Sequence, residues 1–202
     1  YGLVVKGNLT ITGKGTVTTA GVYGIGVTGS LTVESGTFRG TGMNDYLIGN
    51  WGTTVINGGS FVGVYNCVNN FAGTTEIYGG TYRTAATDYS GEYESADLFA
   101  NEGLTVYGGT FSKDVEDAHV AANHAFVKGK KVVKLSDALN AGEVILLGNV
   151  TMDEKLVVDG FGRLNLNGYS LQLAEVEGNY GLVVKGTLVL SGEGSVTTAG
   201  VY

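Results

Sequence analysis

The sequence predicts an all-β protein, a right-handed parallel β-helix (β-solenoid) with coils of about 22 residues and a short capping helix. Three observations carry this. First, a 23-residue stretch occurs twice: YGLVVKGNLTITGKGTVTTAGVY begins at Tyr1 and YGLVVKGTLVLSGEGSVTTAGVY begins at Tyr180. Second, a shorter motif recurs between them: apolar-x-apolar, a small polar or Gly pair, then Thr or Ser and an aromatic or Val. Its copies are LTITGKGTV at 9–17, LTVESGTF at 31–38, TVINGGSF at 54–61, EIYGGTY at 76–82 and LTVYGGTF at 104–111, with LVLSGEGSV at 188–196 restating the first. Third, the chain holds 35 Gly and no Pro, with 43% hydrophobic residues. That composition suits tight corners between β-strands and excludes both collagen and disorder.

The closing residues Val17, Phe38, Phe61, Tyr82 and Phe111 are 21, 23, 21 and 29 residues apart. One coil of three short strands and three corners needs such a period. Alternation within each strand sends one face inward. Leu31 and Val33 point in while Thr32 and Glu34 point out, and Leu104 and Val106 point in while Thr105 and Tyr107 point out. Val33, Val55, Ile77 and Val106 are expected to form one interior column. The Gly pair turns the corner, and the aromatic after it stacks on its equivalents about 4.8 Å away.

The polar stretch 83–103 reads as an insertion bulging from one corner, which accounts for the spacing of 29. Residues 112–135 break the alternation and hold both histidines. SDALNAG at 136–142 follows and reads as a helix of one to two turns, with Ser136 as its N-cap and Gly142 as its end. Further coils come from VILLGNVT at 144–151 and LNLNGYSL at 164–171. The latter is placed 24 residues before LVLSGEGSV. The expected organisation is 1–111 as coils ending one repeat unit, 112–132 as a connector, and 133–202 as the capping helix and first coils of the next unit. The two 23-residue copies differ at six positions, and the reversal of charge from Lys14 to Glu193 requires an exposed side chain there. The chain thus reads as a window cut from a tandem array.

The stretch from KLSDALNAGEVILLGNV through LNLNGYSL, with the repeated LTVxGGTF pattern, resembles the pectate-lyase-like right-handed parallel β-helix repeats of gut-bacterial surface proteins and phage structural proteins. The resemblance covers nearly the whole chain. It implies a repeat scaffold at a bacterial or virion surface, on a fold that also hosts lyases and hydrolases.

Charge and residue types narrow the function. The formal net charge is −7, which argues against nucleic acid and anionic membrane as partners. No run approaches the ~20 apolar residues of a membrane helix. Cys67 is the only cysteine, so it has no disulfide partner within the chain, and it reads as a small buried hydrophobe. Polysaccharide hydrolysis needs paired carboxylates on adjacent coils, and lyase chemistry needs a base with clustered acids for Ca²⁺. Glu34 and Glu76 instead lie on separate coils. His119 and His124, five residues apart, fit no zinc pattern. No catalytic residue, metal or cofactor is expected, and the chain reads as a non-enzyme. Glycan or partner contacts are sought at the outward aromatics Trp51, Tyr65, Tyr78 and Tyr107. Within the insertion, Asp88, Tyr89, Tyr93 and Asp97 are the candidates, although a solvated loop is the favoured reading of that cluster and a carbohydrate or Ca²⁺ contact the alternative. The expected function is structural: an extracellular fibre or virion appendage whose partners are neighbouring copies of itself. An adhesin on the same scaffold is the alternative, and a polysaccharide-degrading enzyme is disfavoured.

Overall fold

The computed structural model describes residues 1–42, 46–84, 95–175 and 180–198. The chain divides into two compact units, Tyr1–Val115 and Glu116–Tyr202.

The first unit is a parallel β-solenoid of five turns. Its first sheet contains Leu3–Val5, Tyr23–Val27, Tyr46–Asn50, Asn66–Asn70 and Leu98–Ala100. The second contains Asn8–Ile11, Ser30–Val33, Thr53–Ile56, Thr74–Ile77 and Leu104–Val106. The third contains Thr16–Thr19, Thr37–Gly40, Ser60–Gly63, Thr81–Thr84 and Gly109–Phe111. Every neighbouring pair within these sets runs parallel, and each strand lies beside its equivalent one turn away.

Equivalent side chains therefore form continuous interior columns. One is Ile11, Val33, Ile56, Ile77 and Val106. Another is Val17, Phe38, Phe61, Tyr82 and Phe111. Its four rings stack at 4.9, 4.9 and 5.0 Å with interplanar angles of 8°, 3° and 11°. The Tyr82 hydroxyl escapes this apolar stack by donating to the Gly79 carbonyl at 2.8 Å.

Val55 is not in the column where the sequence places it. Ile56 holds that position, and Val55 faces outward between Thr32 and Glu76. The corner explains the shift. Gly36, Gly59, Gly80 and Gly109 all have φ between 106° and 127°. A Cβ at Gly59 would lie 3.1 Å from the Gly36 carbonyl oxygen, and one at Gly80 would lie 3.1 Å from that of Gly59. These corners must be glycine and must superimpose. Val33, Ile56, Ile77 and Val106 each sit three residues before one of them. The same register turns Thr54 inward, where its hydroxyl is buried without a hydrogen-bond partner.

Where the first sheet meets the second, the interior is polar but paired. Asn50 donates to Asn70 Oδ1 at 2.7 Å and to Thr75 Oγ1 at 3.0 Å, and Thr75 donates to Asn70 Oδ1 at 2.8 Å. Asn70 in turn donates to the Glu102 carbonyl at 2.7 Å. Buried amides of this kind cost little only when so paired.

The expected insertion is shorter than 83–103. Leu98–Ala100 pairs in register with Val68–Asn70 and so belongs to the coil. Residues 85–94 of the expected insertion lie outside the described residues.

Cys67 is fully buried, and that burial, followed by the nearby Asp97 charge, pushes its thiol up to about 12. In the folded chain it should resist thiol reagents at pH 8 and react only on unfolding. Its ordinary value is 9.0, so the stability its neutral form contributes is present below pH 9 and lost between pH 9 and about 12. The loss should be on the order of 1 kcal/mol per pH unit. Urea melts at stepped alkaline pH should show a shallower decline in Cys67→Ala, and an identical decline would contradict this account.

The second unit contains a 3-10 turn at Asp117–His119 and an antiparallel hairpin of His124–Val127 with Lys131–Lys134. A helix, Leu135–Ala141, follows and buries Leu135 and Leu139 completely in the core around Val144, Leu146 and Leu164. Ser136 is not its N-cap. The helix starts one residue earlier, Lys134 holds the cap position, and the Ser136 hydroxyl turns to Asp137 Oδ1 at 3.3 Å. Gly142, at φ 146°, ends the helix as expected.

Parallel coils then form from Glu143–Ile145, Phe161–Asn165 and Thr187–Ser191; from Val150–Thr151, Ser170–Leu173 and Ser195–Thr198; and from Leu156–Val158 with Leu182–Val184. Leu164 pairs with Leu190, two residues beyond the Leu188 expected from the sequence. A slip of two preserves the inward and outward faces, so the apolar pattern could not distinguish the two registers.

Candidate functional site

An aromatic cluster outside the core is built by the register of the first sheet. Tyr1, Tyr23 and Tyr46 occupy equivalent positions on successive turns and stack at 5.2 and 5.4 Å. At the far end of the same strands, Trp51 and Phe71 stack at 4.5 Å and 8°. The two columns meet edge to face: Trp51 lies 5.2 Å from Tyr23, and Phe71 lies 5.6 Å from both Tyr23 and Tyr46. Tyr65 joins through an edge contact with Tyr46 at 5.3 Å.

The floor between the columns is the outward row Gly26, Gly49 and Asn69. Both glycines leave room for the rings. A Cβ at Gly26 would lie 2.5 Å from the Tyr1 ring, and one at Gly49 would lie 3.1 Å from both Tyr23 and Trp51. Asn69 follows them in the row at 3% exposure, and its Oδ1 has no hydrogen-bond partner.

This geometry decides what the rings can do. Stacking on a sugar needs an open ring face. Tyr23 has Tyr1 on one side and Tyr46 on the other, and Trp51 and Phe71 cover each other. Tyr1 and Phe71 each stack on a single neighbour and stay 67% and 37% exposed, so the cluster remains accessible at its ends.

The structure splits the four outward aromatics named from sequence. Trp51 and Tyr65 belong to this cluster. Tyr78 and Tyr107 form a separate pair on the next strand edge, stacked at 4.7 Å and 4°. The Tyr78 hydroxyl donates to Glu76 Oε2 at 3.2 Å, and the Tyr78 phenol is raised above its ordinary range by desolvation and the Glu76 charge. Sequence reasoning missed Tyr1, Tyr23, Tyr46 and Phe71. Their signal was present: Tyr1, Tyr23 and Tyr46 recur at intervals of 22 and 23, and Phe71 follows Trp51 by 20.

Asp88, Tyr89 and Tyr93 lie outside the described residues. Asp97 is described, and it is not a surface contact. It is 1% exposed, and its carboxylate accepts from the Thr84 amide and hydroxyl at 2.7 Å each, the Ser112 hydroxyl at 2.9 Å and the Lys113 amide at 2.8 Å. The Ser112 amide also donates to it. Its neighbour Leu98 starts a coil strand, so Asp97 turns inward and ties the strand ends on either side of the insertion.

Two other coil acids, Glu34 and Glu76, are also engaged. Asn57 donates to Glu34 Oε2 at 3.0 Å, and Glu76 holds Tyr78. Among the described residues, no three of His, Cys, Asp and Glu gather as a metal site would require. His119 is buried with Nε2 3.8 Å from Glu116, and the His124 ring contacts the Ala122 carbonyl at 2.8 Å. A recess of about 240 Å³ in the second unit is lined by Val127, Val133, Ala138, Val144 and Ile145, with Lys128 and Glu143 as its charged side chains.

No helix among the described residues is long and apolar enough to cross a membrane. The chain matches no protein-family model, and comparison with curated proteins and with solved structures returns no significant match.

Proposed function

We propose that this chain is a non-enzymatic structural segment of a tandem β-solenoid array. The array would form an extracellular fibre at a cell or virion surface, of the pectate-lyase-like repeat kind that the sequence resembles. What carries the reading is the continuity of the interior. Two apolar columns run through all five turns of the first unit. Each turn is hydrogen-bonded to the next, so opening one turn breaks two ladders at once. The carboxylates of Glu34, Glu76 and Asp97 serve as hydrogen-bond acceptors within the scaffold, which supports a structural rather than a catalytic role for these three. A glycan-binding surface is the second reading, carried by the exposed rings of Tyr1, Phe71 and Tyr78.

The test is length. Chains carrying one, two and three copies of the 179-residue period should give rods in electron micrographs that lengthen by the same increment with each copy. Particles that stay compact as copies are added would refute the array.

A further inference from the structure

The residue just before each glycine corner belongs to a column of its own. Glu34, Asn57, Tyr78 and Tyr107 follow Val33, Ile56, Ile77 and Val106, which pair with one another turn by turn. The first two members hold each other by a hydrogen bond, Asn57 donating to Glu34 Oε2 at 3.0 Å. The last two meet as rings, 4.7 Å apart at 4°. The backbone fixes that separation. The Tyr107 amide donates to the Ile77 carbonyl at 2.7 Å, and a Cβ at Gly108 would lie 2.4 Å from the Tyr78 carbonyl oxygen. Tyr78 is 48% exposed, and its hydroxyl donates to Glu76 Oε2 at 3.2 Å. Two phenol rings thus lie parallel and within reach of solvent, with a carboxylate on one phenol proton.

We propose that Tyr78 and Tyr107 are an oxidative cross-linking site, at which a haem peroxidase with hydrogen peroxide joins the two rings as dityrosine. Each phenol gives up one electron and one proton. Glu76 takes the proton from Tyr78, and water takes the one from Tyr107. Each phenoxyl radical carries spin on the ring carbons beside its oxygen-bearing carbon, and one carbon–carbon bond forms between two of these Cε atoms. The hydrogen on each joined carbon then leaves as a proton and each oxygen regains one, which restores both phenols. In sum, two C–H bonds give way to one C–C bond, and the two electrons and two protons released reduce one hydrogen peroxide to two waters.

The surroundings favour this pair. Tyr23 and Tyr46 also stack, at 5.4 Å, but Trp51 and Phe71 lie edge-on against Tyr23, and Tyr65 and Phe71 against Tyr46, so their ring carbons are hemmed in. Cys67, the one thiol that could quench a phenoxyl radical, is fully buried. The bond also falls on the longest turn. Successive members of the column are 23, 21 and 29 residues apart. The entropy of closing a loop grows with its length, so a covalent tie constrains the unfolded chain most between Tyr78 and Tyr107. It would staple from outside the same two turns that Asp97 ties from within, through Thr84 and Lys113.

Oxidising the full chain with a haem peroxidase and peroxide should give dityrosine fluorescence on a protein that still runs as a monomer. Tryptic maps should show the peptide holding Tyr78 joined to the one holding Tyr107, two hydrogens lighter than their sum, with fragmentation placing the bond on those two residues. Unfolding in urea before oxidation should lower this product severalfold. Tyr107→Phe, which keeps the stack, should abolish it. Glu76→Gln, which keeps a hydrogen-bond acceptor but no base, should slow it severalfold. The stapled chain should unfold at higher urea than the untreated one, and Tyr107→Phe treated in the same way should not shift. Equal yields from folded and unfolded chain, dityrosine spread evenly over other tyrosines, or product only between chains would each overturn the site. An unchanged rate in Glu76→Gln would overturn the role of its carboxylate. These readouts do not depend on whether copies assemble into rods.

Discussion

Replacing Phe61 with alanine is expected to destabilise the first unit by about 3–5 kcal/mol. Phe61 is fully buried and stands between Phe38 and Tyr82, at 4.9 Å from each. Its removal forfeits apolar burial and two stacked ring faces, and it opens a cavity. The solenoid cannot collapse into that cavity, because the corner glycines fix the spacing of the turns. Phe111→Ala should cost less, since Phe111 stacks on Tyr82 with one face only. Denaturant melts of the two variants should show this order. Equal losses would mean that the stack adds nothing beyond burial.

The second large effect is expected at Asp97. Asp97→Ala would leave the amides of Thr84, Ser112 and Lys113 without their carboxylate. Each buried unpaired donor costs roughly 1–3 kcal/mol, and removing one side of a buried charged network typically costs 3 kcal/mol or more. The damage should be local, because these amides flank one insertion. Amide exchange at Thr84, Ser112 and Lys113 should accelerate by roughly two orders of magnitude, the equivalent of about 3 kcal/mol. Amides of Ser30–Val33 should change little. Uniform acceleration across both stretches would show that Asp97 supports the whole unit rather than one joint.

Much of this architecture is legible in the residues. The alternation in LTVESG and LTVYGG gives the inward and outward faces, and the Gly pairs give the corners. Register is less legible. TVINGG offers Val55 and Ile56 as equally apolar candidates, and only the fixed distance to Gly59 selects Ile56. Leu188 and Leu190 share a face, so their side-chain pattern fits either pairing with Leu164. Ser136 looks like a cap, but the hairpin strand ending at Lys134 runs directly into the helix and leaves Ser136 inside it.

Asp97 misled for a different reason. It follows a polar stretch, and nothing in the sequence reveals that three amides converge on it from two other strands. The tyrosine column was overlooked because its members stand at strand starts, outside the recurring motif. Of the candidate contacts, Trp51 and Tyr65 come together, Tyr78 and Tyr107 pair elsewhere, and Asp97 leaves the surface.

The glycine column at one corner has a consequence for how such a protein can change over time. Four successive turns carry their own corner glycine three residues after the inward residue, and each corner touches only the turns beside it. Duplicating or deleting one whole turn leaves every remaining neighbour pair intact, whereas losing a single residue within a turn misaligns that corner. Genes of this design can vary in multiples of a turn while point-scale insertions are confined to the loops, so reach is a freely adjustable property and thickness is not.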